Sequence, residues 1–497
     1  MAALNCIQAS PDSLPLKVLP VLGLIIVLRV LWIAVYRLVF HPLAKYPGPI
    51  LAKLSGWYTV SQAVLSRDTY TRYALHKKYG PVVRMGPNEL CFADTASIKD
   101  IYGQSAEPCL KQPAFYSGFT LTGKNSVFSS TKRDVHARMR RLMSHGLSER
   151  AILQFQDDMK YRIGKYLSLI VSPGNKAVEI YTLTQNLYLD IVSELAFAES
   201  FDILSGGEHQ GARDIETYFE ICPLFGTFPL ARYLPFGVFK AARQARPRIL
   251  QYVQSCIDNF RHRLREGTSQ TGLLRLMVEA EDKETRASFS DDELIENAVI
   301  VIIAGSGTTA TAQLSMIYEL GKHPEMQRKL ESEIRHAFPD QTVFPDYEVA
   351  TELPYLNCVL QETMRLRGPI PTFSPRISPG KVIGGEYIPA GTLVSNLAYT
   401  THRDPRVFPH PTEFIPERWE NPTKEMKLMY RPFSTGPRNC VGMHLARVQL
   451  LLAVCALYQR FDITLDPSTT EELMIMRDQV VMSPSGKKLW INAKPRK

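Results

Sequence analysis

The apolar positions of the chain group into segments of helix length, and the clearest segment lies in the middle of the sequence. Residues 297–314, NAVIVIIAGSGTTATAQL, are apolar on nearly every face, which predicts a helix buried in the core. Ser290 and Glu293 have the spacing of a capping box, and the acids after Ser290 stand where the positive end of a helix favours them. The pattern predicts a helix of about 30 residues that ends near Gly321.

Two glycines interrupt this helix. Gly305 and Gly307 each cost about 1 kcal/mol relative to alanine, and Thr308 and Thr309 follow directly. Two interpretations stay open: close packing against a neighbouring helix with hydroxyls bonded to preceding carbonyls, or a local widening that opens a groove for a flat or oxygen-sized ligand. A nucleophile elbow is excluded, because Ala304 stands where that motif needs its first glycine and no strand precedes it.

The other patterned segments predict a mainly α fold with small β-sheets at one side. Helix-length segments dominate from about residue 65 to 370, and alternating β-like patterns are confined to residues 80–94, 380–398 and 479–493. These patterns predict one large domain built around the long central helix.

The amino terminus carries a different pattern. Val18 to Tyr36 is apolar except for Arg29, and the run is long enough to span a bilayer as a helix. Arg29 lies past the midpoint, where its side chain can reach the interface. The basic residues that follow the run place the rest of the chain in the cytosol. A cleaved signal peptide is the alternative, but no small-residue cleavage site follows.

A proline-rich segment comes after this run. HPLAKYPGP, residues 41–49, contains three prolines that cannot continue a helix. We therefore divide the chain into a membrane anchor (1–37), a stiff linker (38–50) and a domain (51–497).

Composition removes several classes of function. With 45% hydrophobic and 22% charged residues the chain is globular, and its net charge of +9 includes no basic arm of the kind that binds nucleic acid. None of the eight cysteines forms a CxxC pair. The sequence therefore predicts neither a disulfide framework nor a zinc site. It favours a reducing, cytosol-facing compartment.

One cysteine stands in a different setting. Cys440 lies in a turn flanked by Gly436 and Gly442, ahead of an apolar run that predicts a helix from about Met443. A thiol there could be core filler, a redox group, a nucleophile or a metal ligand. The helix dipole and backbone amides predict a lowered thiol pKa. A nucleophile needs an oriented base, and His444 has no apparent acid partner, whereas a metal ligand needs only the sulfur.

The residues around Cys440 carry a family resemblance. FSTGPRNCVG, residues 433–442, resembles the heme-binding signature of the cytochrome P-450 family, Phe-x-x-Gly-x-Arg-x-Cys-x-Gly, at every specified position. The resemblance extends from about residue 40 to the end and is strongest to fungal, membrane-anchored members. It implies the cytochrome P-450 fold, heme b as cofactor, Cys440 as the axial thiolate of its iron, Phe433 beside it, and Arg438 paired with a propionate.

Other segments resemble the family in the family's order. ETMR, residues 362–365, and PERW, residues 416–419, imply a buried network of Glu362, Arg365 and Arg418. A second copy of the pattern, EMQR at 325–328, is interpreted as an exposed ion pair on a helix.

The resemblance also implies further propionate ligands. His136 and Arg140 have i, i+4 spacing on one predicted helix, and Arg376 stands in the matching strand region. The alternative for the first two residues is an exposed basic helix.

One position departs from the family pattern. Gly307 stands where the family usually has an acid, while Thr308 is retained. By the resemblance, Thr308 is catalytic and positions the water that delivers protons. The missing acid predicts imperfect coupling of NADPH use to product.

These features predict a membrane-anchored heme-thiolate monooxygenase that inserts one oxygen atom of O₂ into a lipophilic small molecule, in fungal secondary metabolism or detoxification. The chain ends without a flavin domain, so we expect electrons from a separate NADPH-cytochrome reductase. We expect a single-pass protein of the endoplasmic reticulum membrane with its catalytic domain in the cytosol. The expected docking residues are basic: Lys132, Arg133, Arg138, Arg141, Lys427 and Arg431.

Three alternatives remain: a heme-thiolate isomerase or dehydratase that does not use O₂, a non-catalytic heme-binding protein, and a helical protein without heme. The expected pocket-lining segments are mostly apolar or aromatic, which suits a lipophilic ligand; they are Pro113–Thr122, Phe219–Phe236, Asn297–Ala304, Ile370–Ser374 and Val480–Ser483, with Phe115, Tyr116, Phe119, Phe373 and Met482.

Overall fold

The computed structural model describes residues 14–171, 176–267, 272–371, 375–479 and 481–496. Twenty α-helices are found in these residues. The first ten are α1 (Leu14–Val35), α2 (Ile50–Leu54), α3 (Trp57–Val64), α4 (Asp68–Tyr79), α5 (Thr95–Tyr102), α6 (Pro113–Tyr116), α7 (Arg133–Gly146), α8 (Glu149–Leu153), α9 (Gln156–Ile170) and α10 (Ile180–Phe197). The others are α11 (Gln210–Thr227), α12 (Gly237–Arg265), α13 (Leu273–Val278), α14 (Asp291–Lys322), α15 (Pro324–Ala337), α16 (Tyr347–Glu352), α17 (Pro354–Arg367), α18 (Ala398–Thr401), α19 (Lys424–Met429) and α20 (Met443–Arg460).

The strands are short and form small sheets, as the sequence predicts. They are β1 (Val82–Gly86), β2 (Glu89–Phe92), β3 (Leu110–Lys111), β4 (Val178–Glu179), β5 (Arg376–Ile377), β6 (Lys381–Ile383), β7 (Glu386–Ile388), β8 (Leu393–Asn396), β9 (Phe461–Leu465), β10 (Met476–Gln479), β11 (Val481–Pro484) and β12 (Trp490–Pro495). One sheet has the order β1-β2-β8-β5-β3, with β2 and β8 parallel. A second has the order β4-β12-β9, and β6-β7 and β10-β11 form two-stranded pairs.

The central helix is present as predicted. α14 is 32 residues long, and Ser290 and Glu293 form a complete capping box: the Ser290 hydroxyl accepts from the Glu293 amide at 3.3 Å, and the Glu293 carboxylate accepts from the Ser290 amide at 3.1 Å. Residues 294–302 and 309–320 are buried, whereas residues 303–308 between them are partly accessible. The accessible part of this otherwise buried helix is therefore the stretch that contains its two glycines.

α14 packs closely against α10. A Cβ at Gly305 would lie 3.2 Å from both γ-carbons of Val192. The helix is continuous through its glycines, and the Thr308 and Thr309 hydroxyls donate to the carbonyls of Ala304 and Gly305 at 2.7 and 3.0 Å. The interpretation as close packing with back-bonded hydroxyls is thus confirmed at Gly305, and the helix does not widen.

The amino-terminal helix projects from the domain. Leu19–Phe40 forms an apolar helical segment of 22 residues. Its most apolar stretch has a mean hydropathy of 2.4, and no part of that stretch is buried in the protein. The described residues contain one other helix long and apolar enough to cross a membrane, the mostly buried α14.

The proline-rich segment after α1 packs on the first sheet. Leu43 and Tyr46 are buried, and the amide of Arg84 in β1 donates to the Pro47 carbonyl at 2.8 Å. The Arg84 side chain is fully buried and donates to the carbonyls of Arg37 and Pro87 at 2.8 and 2.6 Å. The end of the apolar helix is therefore attached directly to β1.

Replacing the two glycines of α14 by alanine should affect the stability of the protein differently. A Cβ at Gly307 would have only the Gln185 side-chain oxygen within 4 Å, at 3.9 Å. We expect Gly307→Ala to stabilise the protein by up to about 1 kcal/mol through helix propensity. Gly305→Ala should gain less or lose stability, because Val192 must move. Thermal unfolding of the two variants tests this, and a more stable Gly305→Ala would contradict it.

Candidate functional site

The loop before α20 is held in one conformation by backbone contacts. The Cys440 amide donates to the Phe433 carbonyl at 2.9 Å, and the Asn439 amide donates to the Gly436 carbonyl at 3.1 Å. Gly436 has φ of +71°, and a Cβ there would lie 2.0 Å from the Tyr102 carbonyl oxygen. Only glycine fits this approach, so the position of Cys440 is fixed by the contact between the loop and α5.

Cys440 differs from the other described cysteines. It has an accessible thiol, whereas Cys91, Cys109, Cys222, Cys256, Cys358 and Cys455 are buried. Its sulfur is accessible but lies deep in the protein, and this desolvation raises the pKa of the Cys440 thiol, although the Gly442 amide and Arg140 act in the opposite direction. The expectation of a lowered pKa is therefore wrong for the thiol alone. A coordinated metal cation would deprotonate it outright.

Basic side chains gather near this loop. β3 and β5 pair so that Lys111 lies directly opposite Arg376. Both side chains are buried, as is His136 on α7. Arg438, two residues before Cys440, donates to the Ser130 carbonyl at 2.7 Å. We call Lys111, His136, Arg376 and Arg438 the cationic cluster.

Aromatic and carbonyl groups hold the cluster in place. The Lys111 amine contacts the Phe128 carbonyl and lies 4.4 Å from the ring centroid of Tyr116. Arg376 donates to the Tyr116 hydroxyl at 3.0 Å and lies 5.2 Å from the ring centroid of Tyr102. These contacts fix where the charges point.

Burial and mutual repulsion shift the pKa values of the cluster. Burial, followed by the charges of Arg376 and Arg438, holds the pKa of Lys111 well below its usual range. Burial and then Arg438 lower the pKa of His136 to about 3. Burial and Arg376 lower the pKa of Arg438 to about 10. No ion pair among the described residues includes Lys111, His136 or Arg438.

Arg140 lies on the same helix as His136 but has a different partner. Its guanidinium donates to the Asn439 carbonyl at 2.5 Å and to the Asn439 side-chain oxygen at 2.8 Å. Arg140 therefore holds the residue before Cys440, and its charge also acts on His136 of the cationic cluster.

The network of Glu362, Arg365 and Arg418 is confirmed. Glu362 and Arg365 are fully buried and joined at 2.8 Å, and Arg418 donates to Glu362 at 2.9 Å. Arg365 also donates to the His402 carbonyl at 2.7 Å, and the His402 ring accepts from the Arg431 amide at 3.1 Å. The network therefore reaches the start of the cysteine loop. The exposed pair on EMQR is confirmed as Glu325 with Arg328.

The predicted pocket segment Pro113–Thr122 packs against α11, where a Cβ at Gly118 would lie 2.2 Å from the Cys222 carbonyl oxygen. Phe115, Tyr116, Phe119 and Phe128 form a cluster with ring centroids 5.1–5.3 Å apart. Met482 is buried. Of the predicted pocket segments, Thr372, Phe373, Ser374 and Val480 lie outside the described residues.

Sequence reasoning missed Lys111. Its signal in the sequence is a single lysine two residues before the aromatic segment PAFYSGF, and only the pairing of β3 with β5 brings it to Arg376. It also missed Asn439 as the partner of Arg140, because a backbone carbonyl leaves no mark in a sequence.

Comparison with known proteins identifies the family. The family model for cytochrome P-450 matches residues 57–491. The chain is 31% identical over 448 residues to cytochrome P-450 monooxygenase ABA2 of Pyricularia oryzae, covering 85% of each chain. It is 32% identical over 469 residues to cytochrome P-450 monooxygenase astJ of Aspergillus oryzae, covering 89% of this chain and 90% of that one.

Two further comparisons extend the result. The averantin hydroxylase of Dothistroma septosporum is 31% identical over 476 residues, with 93% of this chain and 88% of that one covered. The crystal structure of the cytochrome P-450DA heme domain shares the fold, with a TM-score of 0.77 at 20% identity over 91% of this chain and 98% of that one. The chain belongs to the cytochrome P-450 family and is a monooxygenase of that family.

The family and fold imply an iron cofactor of the heme-thiolate type, and the residues present fit it. Cys440 offers a thiol that is accessible from inside the protein. The cationic cluster beside it concentrates positive charge in the protein interior, and buried charge is stabilised by an anionic partner. A macrocycle with two carboxylates would supply that partner, and the Cys440 sulfur would ligate its iron.

Proposed function

We propose that this protein inserts one oxygen atom of O₂ into a lipophilic small molecule, using heme b and electrons from a separate NADPH-cytochrome reductase. The observation that carries the proposal is the accessible Cys440 thiol next to a buried cationic cluster. Bound heme would supply the activation of O₂, with the thiolate donating electron density to the iron.

The proposal gives each site residue a task. Cys440 ligates the iron, and Phe433 supports the loop, since its carbonyl accepts from the Cys440 amide. Arg438, Arg376 and His136 bind the propionates, with His136 as a neutral donor. Arg140 is a further propionate ligand in this proposal, and its bonds to Asn439 also steady the cysteine loop. Thr308 holds the water from which protons are delivered.

The proposed substrate is lipophilic and belongs to secondary metabolism or detoxification. Phe115, Tyr116 and Phe119 of the aromatic cluster lie in the predicted pocket segment Pro113–Thr122 and support an apolar ligand. One relative is named for hydroxylation of averantin. Binding spectra with a panel of polyketides, terpenoids and phenolics would identify the chemical class.

The proposed location is the endoplasmic reticulum membrane, with one spanning helix (1–37), a linker (38–50) and a cytosolic domain (51–497). The exposed Leu19–Phe40 segment supports an anchor. Further support comes from large apolar side chains on the domain surface: Trp57 stacks on Phe228 with centroids 5.3 Å apart, and Leu230, Tyr233 and Phe236 are exposed nearby in the chain. Such a patch would lie in the interface of the same membrane.

The proposed reductase contact uses a smaller set of basic residues than the sequence indicates. Arg138 pairs with Glu293 and Arg141 with Asp282. Lys132, Arg133 and Lys427 are exposed, and Arg431 is half-buried. Exposed cations of this kind attract an acidic partner.

Cys440→Ala tests the proposal directly. We expect loss of the carbon monoxide difference spectrum typical of thiolate-ligated heme and loss of monooxygenase activity, because no other described cysteine has an accessible thiol. Cys109→Ala is the matched control and should keep both. A normal thiolate spectrum in Cys440→Ala would contradict the assignment.

Lys111→Met tests whether Lys111 shares in propionate binding. Removing the charge while keeping the length should speed heme loss to apomyoglobin about tenfold or more. The same change should stabilise the heme-free protein against denaturant, because it removes a buried cation among like charges.

Lys132→Met removes an exposed lysine and should alter neither property, and Lys111→Arg should retain heme better than Lys111→Met. Heme loss at the wild-type rate from Lys111→Met would overturn the role.

Gly307→Asp tests the consequence of the missing acid. We expect the wild type to release part of its NADPH electrons as hydrogen peroxide and Gly307→Asp to release less, because a carboxyl beside Thr308 can pass protons. The Cβ has room, with Gln185 at 3.9 Å. Gly307→Asn has the same shape without the ionisable group and should not improve coupling. The measurement is the amount of hydrogen peroxide formed per NADPH consumed, with the panel compound that the enzyme turns over fastest. Tight coupling in the wild type would contradict the prediction.

A further inference from the structure

A buried carboxylate on α14 has no part in the proposed chemistry. Glu296 is 2% exposed. One of its oxygens, Oε1, accepts three hydrogen bonds from one loop: from the Leu121 amide at 2.7 Å, the Thr122 amide at 2.5 Å and the Thr122 hydroxyl at 2.9 Å. A buried anion with three donors from a single segment is a strong attachment point.

The segment it holds covers the predicted pocket. We call residues 113–122 the lid loop; it comprises α6, a 3₁₀ turn at Ser117–Phe119, and the three residues after that turn. It carries Phe115, Tyr116 and Phe119 of the aromatic cluster. The position of this loop therefore sets the position of the aromatic wall.

The carbonyl groups of the lid loop are held from the opposite side. Tyr218 of α11 donates to the Thr120 carbonyl at 3.0 Å, and Arg246 of α12 donates to the Leu121 carbonyl at 2.8 Å. Leu121 is thus fixed by an anion through its amide and by a cation through its carbonyl. This residue joins α14 to α12.

Backbone contacts close the seam between the lid loop and α11. A Cβ at Gly118 would lie 2.2 Å from the Cys222 carbonyl oxygen, and a Cβ at Gly226 would lie 2.3 Å from the Ala114 carbonyl oxygen. The two backbones approach as closely as glycine allows. The lid loop and the second half of α11 therefore form one closed surface.

Opening this surface at α14 has a specific cost. Burial raises the pKa of Glu296, and the bonds from Thr122 and Leu121 act against that rise. Moving the loop away would remove three hydrogen-bond donors from the carboxylate, and losing hydrogen bonds to a charged group costs more than losing ordinary ones. The anion therefore favours the closed position of the loop.

We propose that Glu296 is a positioning residue that fastens the lid loop to α14 and so controls the rate at which ligands enter and leave the pocket. This inference rests on the proposed function, because the pocket is the one above the proposed heme. Glu296 itself touches neither the cysteine loop nor the cationic cluster in the contacts described above.

Hydrogen exchange tests the attachment without using the cofactor's chemistry. In Glu296→Gln, exchange of the Leu121 and Thr122 amides should accelerate about tenfold or more, because the charge-assisted bonds weaken. Thr122→Val removes only the hydroxyl bond and should have a smaller effect. Asp292→Asn changes an exposed carboxylate one turn earlier and should leave exchange unchanged. Wild-type protection in Glu296→Gln would overturn the proposal.

Ligand kinetics test the control of access. We expect 4-phenylimidazole to bind and dissociate faster in Glu296→Gln than in the wild type, with the dissociation constant nearly unchanged, while Asp292→Asn keeps wild-type rates. Carbon monoxide, which is small, should show a weaker effect. If exchange accelerates but the 4-phenylimidazole rates stay the same, the attachment stands and the control of access is overturned.

The two proposals fail in different ways. Absence of any optical change with carbon monoxide or 4-phenylimidazole in the wild type would contradict heme-thiolate binding. The exchange experiment would still report on Glu296, because it measures amide protons of the protein alone.

Discussion

The concentration of positive charge inside the protein is the constraint on which the region around Cys440 depends. Lys111, Arg376 and Arg438 lie close enough for each to lower the pKa of a neighbour. Water cannot solvate them well, and carbonyls and aromatic rings offset only part of the cost. An anion would offset this cost, so we expect binding of a dicarboxylate macrocycle to stabilise the folded form of this region.

The rest of the site follows from where this cluster must lie. The β3–β5 pair places Lys111 opposite Arg376, and the cysteine loop brings Arg438 to the same place only because Gly436 lets it rest on the Tyr102 carbonyl. Arg140 then fixes Asn439. On the far side of the loop, the buried Glu362 network reaches Arg431 through His402. The sulfur is therefore held by several independent elements, and none of them needs a flexible surface side chain.

The sequence predicts much of this arrangement, where the signal is local. The capping box of α14 and the short strands have signatures within a few residues, and both are present. Glu362, Arg365 and Arg418 come from a family pattern, and their network is confirmed. The predicted roles of Arg376 and His136 remain proposals, although the structure places both beside Lys111 and Arg438.

What the sequence does not predict depends on distant contacts or on competing energies. Lys111 joins the cationic cluster only because its strand pairs with a strand more than 260 residues away along the chain. The pKa of Cys440 depends on a balance in which desolvation exceeds the effect of the amide and Arg140, and a local motif contains only the second part. The role of Glu296 cannot be predicted from the sequence, because its main partners are backbone amides, which every residue except proline carries.

α14 shows how one continuous helix can serve several demands. Near its start, Glu296 and Asn297 accept from backbone amides, at Leu121 and Val127 among others. Its middle uses small residues, and the two glycines differ: a Cβ at Gly305 would press on Val192 at 3.2 Å, whereas Gly307 has space around it. A glycine that no close contact requires lowers the helix propensity of this segment without any gain in packing. The absent side chain leaves space beside Thr308. Comparing Asp, Asn and Ala at position 307 separates the effect of proton delivery from the effects of space and of stability.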